Sequence, residues 1–177
     1  DFDRELQAEA LLNVGKLYYE AGDFHQAINV VQKLNTDFEE FAFESPKNEI
    51  IADAFLNSNN LDEAISYIEG LKSPNAKINN TYKEVTYLKG VNLFNRKEYK
   101  AAIAYFTKSY QTKGDYKLNI AALFWRAETY SLLYDWPLAF DDYKYVLDNT
   151  KVGQEYHRES LYGRAYTVFN KEIGAQV

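Results

Sequence analysis

Hydrophobic residues recur at helical spacing along the whole chain, in paired segments that short polar turns separate. Leu11, Val14 and Tyr18 show the spacing of one helix face, and no segment convincingly shows the strict alternation that is typical of a half-buried strand. The pattern therefore predicts an all-α protein. The predicted helices cover residues 6–20, 24–34, 46–57, 61–71, 81–95, 99–110, 118–133, 137–147 and 156–170.

The turn within each predicted helix pair carries a run that recurs four times. Each copy has a polar residue, then a large apolar residue, then an alanine three positions later. The alanines are Ala27, Ala64, Ala102 and Ala139, so the spacings are 37, 38 and 37 residues. Twelve residues before each alanine stands a small residue: Gly15, Ala52, Gly90 and Ala127. A fixed period of this size, carried by helix pairs, indicates a repeat protein.

The recurring residue types have mechanical explanations. Antiparallel helices with short connections approach to about 8–10 Å, and small side chains at the crossing permit that distance. Two of the turns have the spacing of a capping box, in which side chains satisfy backbone N–H groups at a helix start. These pairs are Asp23 with Gln26 and Asn60 with Glu63. Stacking of successive helix pairs would bury the apolar faces that one pair leaves exposed.

The first unit resembles the tetratricopeptide repeat, whose pattern is W-x2-L-G-x2-Y followed by A-x3-F. The matching positions are Leu11, Val14, Gly15, Tyr18, Ala27 and Val31. The tryptophan is absent from every copy, the closing proline is missing, and the period exceeds the usual value of about 34 residues. The resemblance implies an all-α, TPR-like right-handed solenoid of helix–turn–helix repeats, in which longer inter-repeat loops account for the extra residues.

The period also predicts how the chain is divided. We expect a single solenoid domain over residues 1–177, and its repeats fall at about 6–36, 46–73, 81–111 and 118–148, with a partial fifth at 156–177. The fifth unit lacks a second helix and the sequence lacks methionine, which favours a segment of a longer repeat protein. Its last helix would then contact further repeats. Residues 87–90 and 122–128 are more weakly similar to repeat proteins of the bacterial cell envelope.

Composition narrows the functional classes. Of the 177 residues, 46% are hydrophobic and 16% aromatic, which favours a folded chain, and no apolar run is long enough for a membrane span. The net charge of −6 disfavours nucleic acid as a partner, because acidic surfaces repel phosphate backbones. The absence of cysteine excludes disulfides and thiolate chemistry, and is compatible with either the periplasmic envelope or the cytoplasm.

Candidate catalytic groups are sparse. His25 and His157 are far apart and lack metal-ligand spacing, while Asp141 and Asp142 are consecutive helical residues that face different directions. No glycine-rich phosphate loop is present. The sequence therefore predicts no enzyme activity, no cofactor and no metal site.

The resemblance instead implies a protein partner, because the first helix of each TPR pair lines a concave groove that holds peptides. Helical spacing places an aromatic stripe with an acidic fringe on that surface, which favours a peptide with lysine or arginine flanking apolar residues. The predicted partner-binding residues are Tyr19, Asp53, Tyr87, Phe94, Phe124, Glu128, Tyr162 and Tyr166. The stripe offers Lys16 and Asn13 but few other groups for clamping a terminal carboxylate, so that specialised activity is not expected.

Two functions remain open at this point. The first is a non-catalytic scaffold for protein–protein interaction that binds a peptide or protein segment in the groove. The second is an architectural spacer or assembly segment of a larger, cell-envelope or cytoplasmic complex. Aromatic side chains that stay exposed in the groove favour the first, whereas a groove filled by its own side chains favours the second.

Overall fold

The computed structural model describes residues 2–39, 41 and 44–174, with side chains described for 3–39, 41 and 46–170. This part of the chain contains helices and turns but no strand, so the predicted all-α fold is confirmed. The helices are α1 (Phe2–Glu20), α2 (Phe24–Asp37), α3 (Glu44–Asn57), α4 (Leu61–Glu69), α5 (Ala76–Asn95), α6 (Tyr99–Gln111), α7 (Tyr116–Leu132), α8 (Trp136–Asp148) and α9 (His157–Gly174). None of these described helices combines the length and the apolar character that crossing a bilayer requires.

Helix α5 begins five residues earlier than the sequence pattern predicts. The Asn75 side-chain oxygen accepts a hydrogen bond of 2.9 Å from the backbone N–H of Ile78, and the Asn75 carbonyl accepts the first helical bond from Asn79. Asn75 is therefore the N-cap of α5, because it satisfies backbone donors that a helix start leaves free. The polar composition of residues 72–80 had favoured a turn throughout this stretch.

The turn inside each helix pair repeats in conformation as well as in sequence. One residue of each turn lies in the left-handed region, at Gly22, Asn59, Lys97 and Tyr134, with φ of 79°, 58°, 63° and 61°. The N–H of the next residue donates to a carbonyl five positions earlier in all four turns. This hydrogen bond closes the first helix of the pair as a Schellman-type ending.

The capping-box prediction is wrong in part. Asp23 caps α2 by accepting a hydrogen bond from the Gln26 N–H, but the Asn60 side chain makes no capping bond at the start of α4. The backbone N–H groups of Asp23 and Asn60 donate to Tyr18 and Phe55. These two N–H groups are therefore already hydrogen-bonded to the preceding helix. The second hydrogen bond of a capping box, from the cap N–H to the side chain three residues later, has no free N–H group to form it.

Small residues in the first helix of a pair allow the second helix to approach closely. A Cβ atom built on Gly15 would lie 2.6 Å from a Val31 methyl group, and one on Gly90 would lie 2.6 Å from the Phe106 ring. Each partner stands four residues after the repeat alanine, as the pattern requires. The sequence prediction that these small positions lie at the helix crossings is confirmed for both pairs.

The chain forms two compact units, Asp1–Val85 and Thr86–Val177, and the boundary between them falls within α5. In the first unit α1 packs on α2, α2 on α3 and α3 on α4, and α1 also contacts α3. In the second unit α6 packs on α7, α7 on α8 and α8 on α9, and α7 also contacts α9. First helices of successive pairs are therefore neighbours within each unit. The single domain predicted from the sequence stays a prediction.

Candidate functional site

A cleft lies between α7 and α9 in the second unit, and we call it the α7–α9 cleft. Its volume is about 900 Å³, and the turn that leads into α8 contributes Tyr134 to its lining. Four of its aromatic side chains are exposed, with exposed fractions of 77% for Tyr134, 70% for Tyr162, 61% for Phe169 and 57% for Tyr166. The lining residues are Glu128, Ser131, Leu132, Tyr134, Trp136, Tyr143, Glu159, Tyr162, Gly163, Ala165, Tyr166 and Phe169.

The position of α9 depends on its approach to Tyr143 of α8. A Cβ atom built on Gly163 would lie 2.4–2.7 Å from three carbons of the Tyr143 ring. The ring thus packs against the α9 backbone, where any larger residue would displace it. Ala165, which the repeat period places at the equivalent packing position, is exposed and lines the cleft. The period fails here because the close contact of α9 is with the preceding helix α8.

Tyr143 also fixes a carboxylate at the wall of the cleft. Its hydroxyl donates to Glu128 Oε1 over 2.6 Å and lies 3.3 Å from Ser131 Oγ. Burial, followed by the hydrogen bond to Glu128, raises the pKa of Tyr143 well above its usual value, so the hydroxyl remains a proton donor at physiological pH. One oxygen of the Glu128 carboxylate is therefore held in place by the protein.

A second carboxylate lies across the cleft at the start of α9. The Glu159 carboxylate accepts from its own backbone N–H, which lowers its pKa, and it lies 3.2 Å from the Arg158 guanidinium. Carboxylates in the first turn of a helix are favoured by the unpaired N–H groups there. Glu159 is therefore charged at physiological pH, and Arg158 partly neutralises it.

The aromatic rings at the end of the cleft form a continuous row. Tyr134 and Trp136 meet edge to face with centroids 5.6 Å apart, and Trp136 meets Tyr166 in the same way at 5.7 Å. Such contacts stabilise each ring by about 0.5–1.5 kcal/mol beyond area burial. The row presents large apolar faces whose orientations are set before anything binds.

A second concave surface adjoins the first and shares Glu159 with it. We call it the loop cleft, since residues 152–156 between α8 and α9 form much of its lining, and its volume is about 790 Å³. Phe124 is buried beneath it and stacks on Tyr156 with centroids 4.6 Å apart. Tyr156 adopts a φ of 63°, which turns the loop back over α7.

Three of the residues predicted to bind a partner come together in the α7–α9 cleft, namely Glu128, Tyr162 and Tyr166. Three others contact aromatic rings of their own unit. Tyr87 lies 6.2 Å from Phe106, Phe94 lies 5.2 Å from Trp125, and Phe124 is buried. These three rings pack within the second unit, and their role in binding stays a prediction.

The remaining two, Tyr19 and Asp53, line a smaller hollow of about 310 Å³ in the first unit. Asp53 accepts a 2.7 Å hydrogen bond from Thr81, and its other oxygen lies 3.2 Å from Lys77 Nζ. The Tyr19 hydroxyl accepts from Asn57 over 3.3 Å. The Asp53 carboxylate and the Tyr19 hydroxyl are thus already bonded to polar side chains of the first unit.

Helical spacing also placed Phe169 on the groove stripe, but sequence reasoning missed Tyr134 and Trp136 as members of the site. One signal could have found Tyr134. It occupies the left-handed turn position where the first two repeats have Gly22 and Asn59, residues that tolerate positive φ. A tyrosine at such a position is an outlier that points to a role beyond the turn.

Neither histidine lies in a metal-like arrangement among the described residues, which contain no group of three or more side chains able to hold a metal ion. His25 is exposed, and His157 Nδ1 lies 3.0 Å from the Thr150 hydroxyl. His157 therefore ties the loop to the start of α9.

The fold defines a class of helical-repeat protein built from antiparallel helix pairs. Residues 9–39, which include the end of α1 and all of α2, match the family model of the tetratricopeptide repeat. The later pairs repeat the turn conformation and the small packing positions of this matched segment. Tetratricopeptide repeats generally mediate protein–protein interaction.

Among solved structures, the chain was matched to a crystal structure from Podospora anserina. It contains nearly identical TPR-like repeats of a protein provisionally assigned as a kinesin light chain. It is 8% identical to this chain, covers 96% of this chain and 89% of its own, and superposes with a TM-score of 0.46. No curated protein is significantly similar to the chain. The similarity to bacterial cell-envelope proteins stays a prediction.

Proposed function

We propose that this protein is a non-catalytic interaction scaffold that binds a peptide or protein segment in the α7–α9 cleft. The observation that carries the proposal is the exposure of Tyr162, Tyr166 and Phe169 on the wall of one cleft. Aromatic side chains with few rotatable bonds bury large area at low entropic cost, which makes them good anchors for a partner.

The dimensions of the site also suit an extended or helical segment. The α7–α9 cleft and the loop cleft adjoin at Glu159, and their volumes are about 900 and 790 Å³. Each is at the upper end of the range, about 300–1,000 Å³, that small-molecule sites occupy. Because the two clefts adjoin at Glu159, a chain segment can continue from one cleft into the other.

A second candidate function, architectural assembly without a groove ligand, draws support from a different observation. Tyr87, Phe94 and Phe124 lie against rings of their own unit, so the part of the stripe on α5 and early α7 is filled by its own side chains. Under this candidate the protein joins a larger complex through other surfaces, and the α7–α9 cleft stays empty.

The two candidates differ in what a change to the cleft does. We would select binders from a displayed library of random dodecapeptides and measure their affinities by fluorescence anisotropy. Tyr162→Ala with Tyr166→Ala is expected to weaken the selected peptides by at least about tenfold, the usual loss at an aromatic anchor. Tyr116→Ala, at an exposed tyrosine outside both clefts, is the matched control and should leave binding unchanged.

Circular dichroism would verify that all variants keep their helix content. Peptides that bind the double variant as tightly as the wild type would exclude the α7–α9 cleft as the binding site. Failure to select any peptide with the wild-type protein would favour the architectural candidate.

A further inference from the structure

The α7–α9 cleft combines an apolar wall with a one-sided charge. Among its described lining residues the charged ones are Glu128 and Glu159, and neither lysine nor arginine is present. Exposed aromatic side chains, Tyr162 and Tyr166, line the same cleft as the two carboxylates. The surface is therefore complementary to a cation that is attached to an apolar group.

Glu128 is the better placed of the two carboxylates. Tyr143 holds its Oε1 over 2.6 Å, and no lysine or arginine of the described residues forms an ion pair with it. By contrast, Glu159 has Arg158 at 3.2 Å, and Arg158 lines the loop cleft. A ligand cation gains most at Glu128, because that carboxylate has no competing positive charge beside it.

Resting on the proposed function, we infer that the α7–α9 cleft selects protein segments in which a lysine or arginine adjoins a large apolar side chain. The cation contacts Glu128, and its aliphatic stem lies along the ring of Tyr162. The neighbouring apolar side chain packs against Tyr166 and Phe169. Cation–π attraction to the tyrosine faces adds to the ion pair, and long basic side chains commonly pack their stems on apolar surfaces in this way.

The loop cleft serves as an internal comparison. It shares Glu159 and adds Glu155, but Arg158 also lines it, so its charge is mixed and not one-sided. We expect the basic residue of a bound segment to lie in the α7–α9 cleft, with uncharged residues over the loop cleft.

The composition of the selected dodecapeptides tests this directly. Lysine or arginine next to leucine, isoleucine, phenylalanine or tryptophan should be enriched over the starting library. Enrichment of apolar residues without a charge preference, or of acidic residues, would overturn the inference while the proposed function stands. If no peptide is selected at all, or if binding ignores the change of Tyr162 and Tyr166, both fail.

A charge-neutral variant locates the cation. Glu128→Gln keeps an oxygen acceptor for the Tyr143 hydroxyl, so the fold should survive. We expect the basic peptides to bind about tenfold more weakly, the loss of one charge-assisted contact. Glu63→Gln, at an exposed position on α4 in the first unit, removes the same charge elsewhere and should have no effect. Equal weakening by both variants would indicate only a long-range effect of net charge and would overturn the inference.

Discussion

Asp142→Asn removes the anion of an ion pair that links three helices of the second unit. Arg126 donates from Nε and Nη2 to the two oxygens of Asp142, both over 2.7 Å, and from Nη1 to Thr107 over 2.9 Å. The side chains of Arg126 and Asp142 are only 15% and 10% exposed. The pair therefore joins α6, α7 and α8 through contacts that water barely reaches.

The size of the effect follows from this burial. Breaking a buried pair by removing one partner costs about 3–5 kcal/mol, because a charge is left uncompensated. The guanidinium of Arg126 also lies 5.6 Å from the Tyr110 ring and 5.9 Å from the Tyr130 ring. These contacts are the same in both proteins and leave the difference unchanged. The asparagine oxygen still accepts one hydrogen bond from Arg126, worth about 1 kcal/mol, so we expect Asp142→Asn to lower the free energy of unfolding by about 2–4 kcal/mol.

The assay can follow the second unit alone. The chain has two tryptophans, Trp125 and Trp136, and both lie in this unit, so urea unfolding monitored by tryptophan fluorescence reports on it specifically. Arg126→Met completes a double-mutant cycle with Asp142→Asn, and we expect the double variant to lose less than the sum of the single losses. Asp148→Asn, in the exposed pair with Lys144, is the control and should cost about 0.3–0.5 kcal/mol.

The pH dependence of Arg126→Met gives an independent check. Burial raises the pKa of Asp142 even beside Arg126, and without Arg126 the value should rise further. A carboxyl whose pKa is raised by folding stabilises the protein below that pKa and loses this contribution as the pH rises through it. Arg126→Met should therefore be less destabilised in mild acid than at neutral pH. Additive single losses, within about 0.5 kcal/mol, together with no pH dependence would refute the coupling.

Three further predictions concern the repeat architecture. Lys97→Gly should stabilise the protein by up to about 1 kcal/mol in thermal unfolding, because Lys97 has a φ of 63° that glycine adopts without strain, whereas Gly22→Ala should destabilise it by a similar amount. Gly90→Ala should lower stability, because overpacking against the buried Phe106 ring costs about 1–3 kcal/mol and exceeds the gain in helix propensity of about 1 kcal/mol. Gly70→Ala is its control and should not destabilise the protein, because a Cβ atom there would make only van der Waals contacts of ordinary length. Asn75→Ala removes the α5 cap and a 2.7 Å hydrogen bond that lowers the pKa of Glu49. The variant should therefore be less stable at neutral pH. It should also lose less stability than the wild type as the pH falls through the Glu49 pKa, because the ionised form of Glu49 is no longer favoured by that bond. A pH-stability curve of Asn75→Ala that runs parallel to that of the wild type would contradict the link to Glu49.

The helix pairs could be predicted from sequence because their signals are local. Helical spacing and the recurrence of Ala27, Ala64, Ala102 and Ala139 depend on residues close together in the chain, and the helix positions in the described part of the chain follow from them. The start of α5 was the largest error, because the cap formed by Asn75 resembles a turn in composition.

The candidate site was only partly predictable. Helical spacing assigns Phe124, Glu128 and Tyr162 to one surface, but it cannot state what covers each residue. The loop after α8 brings Tyr156 onto Phe124 with a φ of 63°, and no periodic pattern encodes that conformation. Likewise Gly163 of α9 packs against Tyr143 of the preceding helix α8, so the close-packing position on α9 is Gly163 and not Ala165, where the period places it.

The most direct test of the binding site is an NMR titration of the isotope-labelled chain with a display-selected peptide. The proposal predicts that backbone amide shifts change most over residues 128–134 of α7 and its following turn, and over residues 159–169 of α9. It also predicts that the same peptide leaves these amides unchanged in the Tyr162→Ala, Tyr166→Ala variant. Shift changes concentrated in the first unit, with residues 128–134 and 159–169 unaffected, would contradict the account.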